Sequence, residues 1–545
     1  MQNLESLLIA FAVVLVASCS GGTDQEKFDL NYPETNSMNH VDKYHGVEVA
    51  DPYRWLEEDV RESEDVSKWV TAQNEVTFAY LSTIPERSLI EKRIMELWDF
   101  ERYGLPVKKG GRYFFSYNDG LQNQNVIYTQ GALHELPELL IDPNTWSDDG
   151  TVALASYFPS TDGSFVAYLI QDGGSDWRAA EVLDVVSGKV LVDHLEWLKF
   201  TALSWEKDSS GFYYSRYPAT SEEEKFQSLN KDMTIYFHEL GTLQDEDKVV
   251  YVRSDQPDWS PRAEVTDDGD HLVITISGGT DERYSIAYQD LTASDAKVVT
   301  IIEGFGYDYT FIGNLGDDLY FRTNEGAPKN RLIVIDAKNP QTANWREIIS
   351  EAQDVLDSVT LVGGRIIAEY MQDAWSVVKI FDLDGNHLST VDLPGIGTAS
   401  GFNGKVTDPE TFFSYESFNT PNTVNRLDVS TGIVEVFKNP EVAFSPEDYV
   451  VEQVFYSSRD GTRVPMFIAH HKEVILDGRR PTLLYGYGGF NISLQPSFSV
   501  TRLAWMEMGG IYAVANMRGG GEYGEDWHKA GTKLQKQNVF DDFIA

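Results

Sequence analysis

A unit of about fifty residues recurs seven times between residues 102 and 442. Each copy holds a Gly or Asp turn, an aromatic or aliphatic run, a polar loop, a second run and another turn. The first runs are residues 112–117, 164–170, 211–216, 271–277, 318–323, 365–370 and 411–416. Their starts fall 52, 47, 60, 47, 47 and 46 residues apart. The second runs follow at 125–130, 180–186, 233–240, 284–291, 331–336, 377–383 and 423–429. Short runs rich in Val, Ile, Tyr and Phe between turn residues read as strands. A near-constant period over seven copies predicts a seven-bladed β-propeller with four strands per blade. Two β-sandwiches are the rival reading, but sandwiches need not repeat at a fixed period.

The flanks have a different texture. Residues 62–81 and 87–98 read as helices, the first from Val66, Trp69, Val70, Val76, Phe78 and Leu81 at roughly helical spacing. Two such helices cannot make a domain alone and must pack on something distant in sequence. After the repeats, residues 449–455 and 464–470 read as strands paired across Ser458-Arg-Asp-Gly461. Leu483-Leu484-Tyr485 reads as a buried strand that breaks into Gly486-Tyr487-Gly488-Gly489. A second strand, residues 511–517, runs into Arg518-Gly-Gly-Gly-Glu-Tyr-Gly524, and residues 539–545 read as a helix start. Strand, glycine loop, strand, glycine loop and helix form the first part of an open α/β sheet. The expected organisation is a leader at 1–19, an N-terminal segment at 28–101, the propeller at 102–442 and an incomplete α/β domain at 443–545.

Charge narrows the class of partner. With 44 Lys+Arg against 86 Asp+Glu, the net charge is −42, which argues against nucleic acid as a partner. The acidity is read as serving solubility. The single cysteine, Cys19, allows no intrachain disulfide and no thiolate metal cluster. Residues 7–17 form an apolar run of eleven, too short to span a bilayer and right for a signal-peptide core. Val16-Ala17-Ser18-Cys19 resembles a bacterial lipoprotein cleavage box, although residues 1–6 lack Lys and Arg. The expectation is a lipidated Cys19, a polar tether at 21–27, and a periplasmic or cell-envelope protein that meets the membrane only through that anchor. An uncleaved apolar N-terminus is the alternative.

Tyr487, among three glycines at the mouth of a strand, is placed to aim a phenol O–H at developing negative charge. Two other patterns are decoys. Gly519-Gly-Gly521-Glu-Tyr-Gly524 fits Gly-x-Gly-x-x-Gly, but the acid twenty residues past Gly521, Asp541, lies in a helix-like start rather than at a strand end. Asp267-Asp268-Gly269-Asp270 lacks the spacing of a calcium loop and reads as a blade turn. His470 and His471 alternate faces on a strand and make a poor chelate, read as partly solvated. No metal site is expected.

The residues 484–493, 513–524, Trp527-His-Lys529 and Phe540-Asp-Asp-Phe543 resemble the catalytic domain of the prolyl oligopeptidase family. Tyr44-His-Gly46, Asp51-Pro-Tyr53, Trp55-Leu-Glu57 and Ala72-Gln-Asn74 resemble its N-terminal segment, and Gly120-Leu-Gln-Asn-Gln124 and Gly174-Ser-Asp-Trp177 its first blades. The resemblance implies a seven-bladed propeller inserted in an α/β-hydrolase domain and covering the active site. It implies cleavage of short peptides after proline by a Ser/His/Asp triad, without cofactor, by a protein that is a monomer when complete. Tyr487 matches the family's oxyanion tyrosine, Phe490 a residue lining the proline pocket, and Phe200 a propeller residue facing the substrate. His528 falls in a structural motif. The sequence departs from the family at one point: it contains no Gly-x-Ser-x-Gly, the elbow that carries a hydrolase nucleophile. The triad is therefore expected beyond Ala545, and residues 1–545 alone are expected to be inactive. The competing class is a non-catalytic propeller module that binds peptides or a protein partner.

Overall fold

The computed structural model describes residues 30–220 and 228–545. Cys19 and the leader lie outside the described residues. The chain divides into two compact units, the first ending at Lys92 and the second starting at Arg93.

In the first unit a hairpin, Val41–Tyr44 with Val47–Ala50, leads to the helix Glu64–Ser82. Indole N–H groups fasten the entry segment: Trp55 donates to the Asn36 carbonyl at 2.9 Å and Trp69 to the Thr35 hydroxyl at 3.0 Å.

The second unit opens with seven antiparallel sheets, each built from consecutive strands, among the described residues. These are the blades. The fourth, for example, is Trp259–Val265, His271–Gly278, Tyr284–Asp290 and Val299–Ile302, and the sixth is Val355–Val362, Arg365–Gln372, Trp375–Phe381 and His387–Thr390. The runs that carry the repeat are thus the second and third strands of each blade. They are the strands covered on both faces by neighbouring blades, so they read as continuous apolar runs. In Arg365–Gln372 every residue from Ile366 to Met371 is buried. The outermost strands are less buried, and His387–Thr390 is wholly exposed.

Because each blade is one continuous segment, no strand is shared between the first and seventh among the described residues. Side chains join them: Tyr113 donates to Glu410 at 2.7 Å and meets Phe412 edge-on at 6.2 Å. The innermost strands of several blades border a cavity of about 740 Å³, whose walls include Tyr157, Arg262, Glu264, Tyr284 and Tyr309.

The C-terminal sheet has the order Tyr449–Ser457, Arg463–His471, Ile511–Ala515, Thr482–Gly486. The last two are parallel, so their connection must cross over, and it does so through the helix Val500–Glu507. That helix buries Val500, Leu503, Ala504 and Met506, the one-face spacing of a helix on a sheet. Its core also takes in Leu97 and Phe100 from the start of this unit and Ala374 and Phe418 from two blades. Two expectations fail here. Leu483, Leu484 and Tyr485 are not buried but 48, 40 and 45 % exposed, because Thr482–Gly486 pairs on one side only among the described residues. His470 is buried, not partly solvated, and its Nδ1 lies 2.9 Å from the His471 carbonyl.

Candidate active site

Parallel strands deliver their loops to the same end of a sheet, and there ligands bind in open α/β folds. Thr482–Gly486 delivers Tyr487, and Ile511–Ala515 delivers the run from Arg518 to Gly524. Gly488 holds φ +60°, and a Cβ there would stand 2.4 Å from Val539 Cγ1 and 3.1 Å from the Arg518 carbonyl. Only glycine allows both that backbone and that approach. The Lys536 ammonium donates to the Gly488 carbonyl at 2.6 Å.

The glycines of the second loop exist for the first. A Cβ on Gly519 would lie 2.6 Å from the Gly488 oxygen, one on Gly520 2.8 Å from the Ile492 oxygen, and one on Gly521 2.7 Å from the Asn491 oxygen. The three together form a side-chain-free bed for residues 488–492. No room for a dinucleotide remains over them, and the short helix that follows, Glu525–Lys529, begins with Glu525 and Asp526, which repel an anion.

Buried and half-buried polar groups hold the two loops in register. Glu522 accepts from the Leu494 N–H at 3.1 Å and from the Asn516 amide at 3.2 Å, and burial raises its carboxyl above the ordinary carboxylate range. His528 Nδ1 lies 2.8 Å from the Gly519 carbonyl, which also accepts from the Asn491 N–H at 3.1 Å. Beneath them Arg518 is gripped by Asp542.

On this frame Tyr487 is 44 % exposed and its hydroxyl has no hydrogen-bond partner among the described residues. It is not a core tyrosine with a satisfied O–H. Phe490 is 66 % exposed and Phe490 and Asn491 hold φ of 50° and 54°, so a left-handed turn presents the ring outward. Phe200 sits elsewhere, on the loop after Lys189–Leu198 of the second blade, with the Lys199 ammonium 5.2 Å from its ring centre. Neither hydrogen bonding nor ring stacking joins Phe200 to Tyr487 or Phe490 among the described residues.

The tyrosine loop also touches the propeller. The Asn491 amide donates to Glu282, between the second and third strands of the fourth blade, at 2.7 Å. Further along, the Thr398 hydroxyl donates to the Pro496 carbonyl at 2.7 Å and the Phe498 N–H to Glu416 at 3.0 Å.

Two family models cover this architecture. Residues 32–440 match the model described as prolyl oligopeptidase, N-terminal beta-propeller domain, and residues 496–545 match the prolyl oligopeptidase family. The prolyl endopeptidase of Elizabethkingia meningoseptica is 42 % identical over 544 residues, which cover 100 % of this chain and 76 % of that protein. This chain belongs to the prolyl oligopeptidase family. Among solved structures, a prolyl endopeptidase 38 % identical superposes with a TM-score of 0.87 over 94 % of this chain and 75 % of its own. Prolyl oligopeptidase B from Galerina marginata is 31 % identical and covers 94 % of this chain. Its TM-score is 0.86 in a form bound to a 35-residue substrate, which this chain matches over 75 % of its length, and 0.73 in the apo form, matched over 76 %.

Within this family member, the motif residues Tyr487 and Phe490 were legible because glycine and aromatic residues alternate around them. Glu282, Lys536 and Glu522 were not. Each matters through a partner far along the chain, and Glu282 is 209 residues from Asn491.

Proposed function

We propose that these residues belong to a serine endopeptidase that cleaves short peptides after proline. The observation that carries this reading is the exposed Tyr487 at the carboxyl end of Thr482–Gly486, whose hydroxyl has no hydrogen-bond partner among the described residues. When a serine oxygen adds to the scissile carbonyl, that carbonyl oxygen becomes an oxyanion. A preorganised O–H strengthens its hydrogen bond as the charge develops, so it lowers the barrier rather than merely binding substrate. A backbone N–H is the second donor. Phe490 offers a flat ring to the pyrrolidine of the proline, and Phe200 supplies a further substrate contact from the propeller. The cavity bordered by the inner strands limits entry to short peptides.

The nucleophile is not supplied in the family's form by these 545 residues, which contain no Gly-x-Ser-x-Gly. Hydrolysis needs that group, and residues 1–545 alone are expected to lack it. In our reading the protein is a monomer, held at the cell envelope by a lipid on Cys19. A second reading, a propeller that binds peptides without cleaving them, draws on the same missing elbow.

The test is covalent labelling. Protein purified from its source cells is treated with a serine-directed phosphonate and its intact mass is read. One phosphonyl adduct on a chain heavier than 61.4 kDa supports the peptidase. An unlabelled chain that binds proline peptides supports the second reading.

A further inference from the structure

The hairpin turn of the sixth blade is unusual in its backbone and in what surrounds it. Gln372 pairs with Trp375, so Asp373 and Ala374 alone make the turn. They hold φ of 47° and 71°, the left-handed region at both central positions, with no glycine. Such turns favour Asn-Gly or Asp-Gly, and a non-glycine pair persists only where the surroundings hold it. Here the C-terminal sheet and its loops hold it. Ala374 is fully buried in the core formed by Phe467, Leu503 and Val514. The Gln453 side chain donates to the Asp373 carbonyl. The Tyr523 hydroxyl donates to the Asp373 carboxylate at 2.6 Å.

Tyr523 belongs to the glycine bed of the site. It follows Glu522, which fixes Leu494 and Asn516, and lies two residues past Gly521, on which Asn491 rests. Its ring meets Trp527 edge-on at 5.0 Å. A continuous series of contacts therefore runs from a propeller turn, through Tyr523 and the glycine bed, to the loop that bears Tyr487 and Phe490.

We propose that Asp373 is a positioning residue: by holding Tyr523 it couples the seating of the sixth blade to the conformation of the tyrosine loop. The tyrosine hydroxyl and the Phe490 ring are then set only while that turn is docked. Asp373 touches no substrate and acts through Tyr523. Charge-assisted bonds of this kind are short and stronger than neutral ones, which suits one bond to this task. The proposal deepens the oxyanion reading of Tyr487 and rests on it.

The experiment reads loop order without needing peptidase activity, so its outcome is separate from that of the peptidase reading. Amide hydrogen exchange is followed by mass spectrometry on the protein as its source cells make it and on its variants Asp373→Ala, Asp373→Asn and Tyr523→Phe. Asp373→Ala and Tyr523→Phe are expected to speed exchange in residues 487–493 and 519–524 about tenfold. Strand Arg365–Gln372 should keep its protection. Asp373→Asn keeps an acceptor oxygen and should restore most of the protection. Tyr523→Phe loses one oxygen and no packing, so it reports even if Asp373→Ala fails to fold. Unchanged exchange at 487–493 in Tyr523→Phe overturns the proposal, as does a uniform rise across the sixth blade.

Discussion

Arg518 and Asp542 lock the glycine bed to the last helix. The Arg518 Nη2 and Nε donate to the two carboxylate oxygens of Asp542 at 2.6 and 3.0 Å, and the Arg518 backbone N–H adds a third bond at 3.0 Å. Both side chains are buried. The same guanidinium reaches Asp460 at 2.6 Å, but that carboxylate is half exposed. The two acids therefore differ in weight.

Asp542→Ala breaks the buried half of this pair and leaves the guanidinium only the half-exposed Asp460, at an expected cost of about 3–5 kcal/mol. Asp460→Ala breaks a solvent-screened pair and is expected to cost less than about 1 kcal/mol. Urea unfolding of the two variants side by side checks the order.

Gly488 and Gly489 offer a second contrast. Gly488→Ala forces φ +60° on an alanine and drives its Cβ against Val539, for an expected loss of about 1–3 kcal/mol. A Cβ on Gly489 would meet nothing nearer than the Lys536 ammonium at 3.7 Å, and Gly489 lacks a positive φ. Gly489→Ala should stay within about 0.5 kcal/mol of the parent. Thermal melts of both variants decide it.

The second and third blades are stapled by a buried histidine. His238 Nε2 lies 3.0 Å from Asp193 and Nδ1 2.7 Å from Asp247. Burial alone would lower its pKa, but the two carboxylates win and raise it to about 9. A raised folded pKa gives stability that is complete below the unfolded value, about 6.5, and is lost as pH climbs through 9. The melting temperature should fall between pH 6.5 and 9 in the parent and fall less in His238→Gln. Equal slopes would contradict this.

Glu369 works in the opposite sense on the sixth blade. Burial, with Asp357 nearby, raises its pKa to about 8 against an opposing bond from Ser358. Its ionisation is thus penalised by the fold, and the penalty grows from the unfolded value, about 4.5, up to 8. Glu369→Gln should stabilise the protein at pH 8 and lose that advantage near pH 4.5, measured as the difference in denaturation midpoint.

How far the sequence discloses all this depends on where each residue's partner lies. The repeat was legible because strands such as Arg365–Gln372 are buried on both faces and, Glu369 apart, apolar along that buried run. Outer strands such as His387–Thr390 carry no such mark, so each repeat shows only the two middle strands of its blade. Leu483-Leu484-Tyr485 looked buried because composition cannot report how many sides of a strand are paired. His470 looked solvated because alternation does not say which face is covered. At the site, Tyr487 and Phe490 announced themselves by motif. The bond from Asp373 to Tyr523 spans 150 residues and has no local signature.

The most direct test of the central claim is turnover of a Gly-Pro reporter amide by the protein purified from its source cells, with and without Tyr487→Phe. The account predicts phosphonate-sensitive cleavage after proline, and a fall of about 10²–10³ in kcat for Tyr487→Phe with KM little changed. Residues 1–545 alone should give no phosphonate-sensitive cleavage. Unchanged kcat in Tyr487→Phe, or phosphonate-sensitive cleavage by residues 1–545, would contradict it.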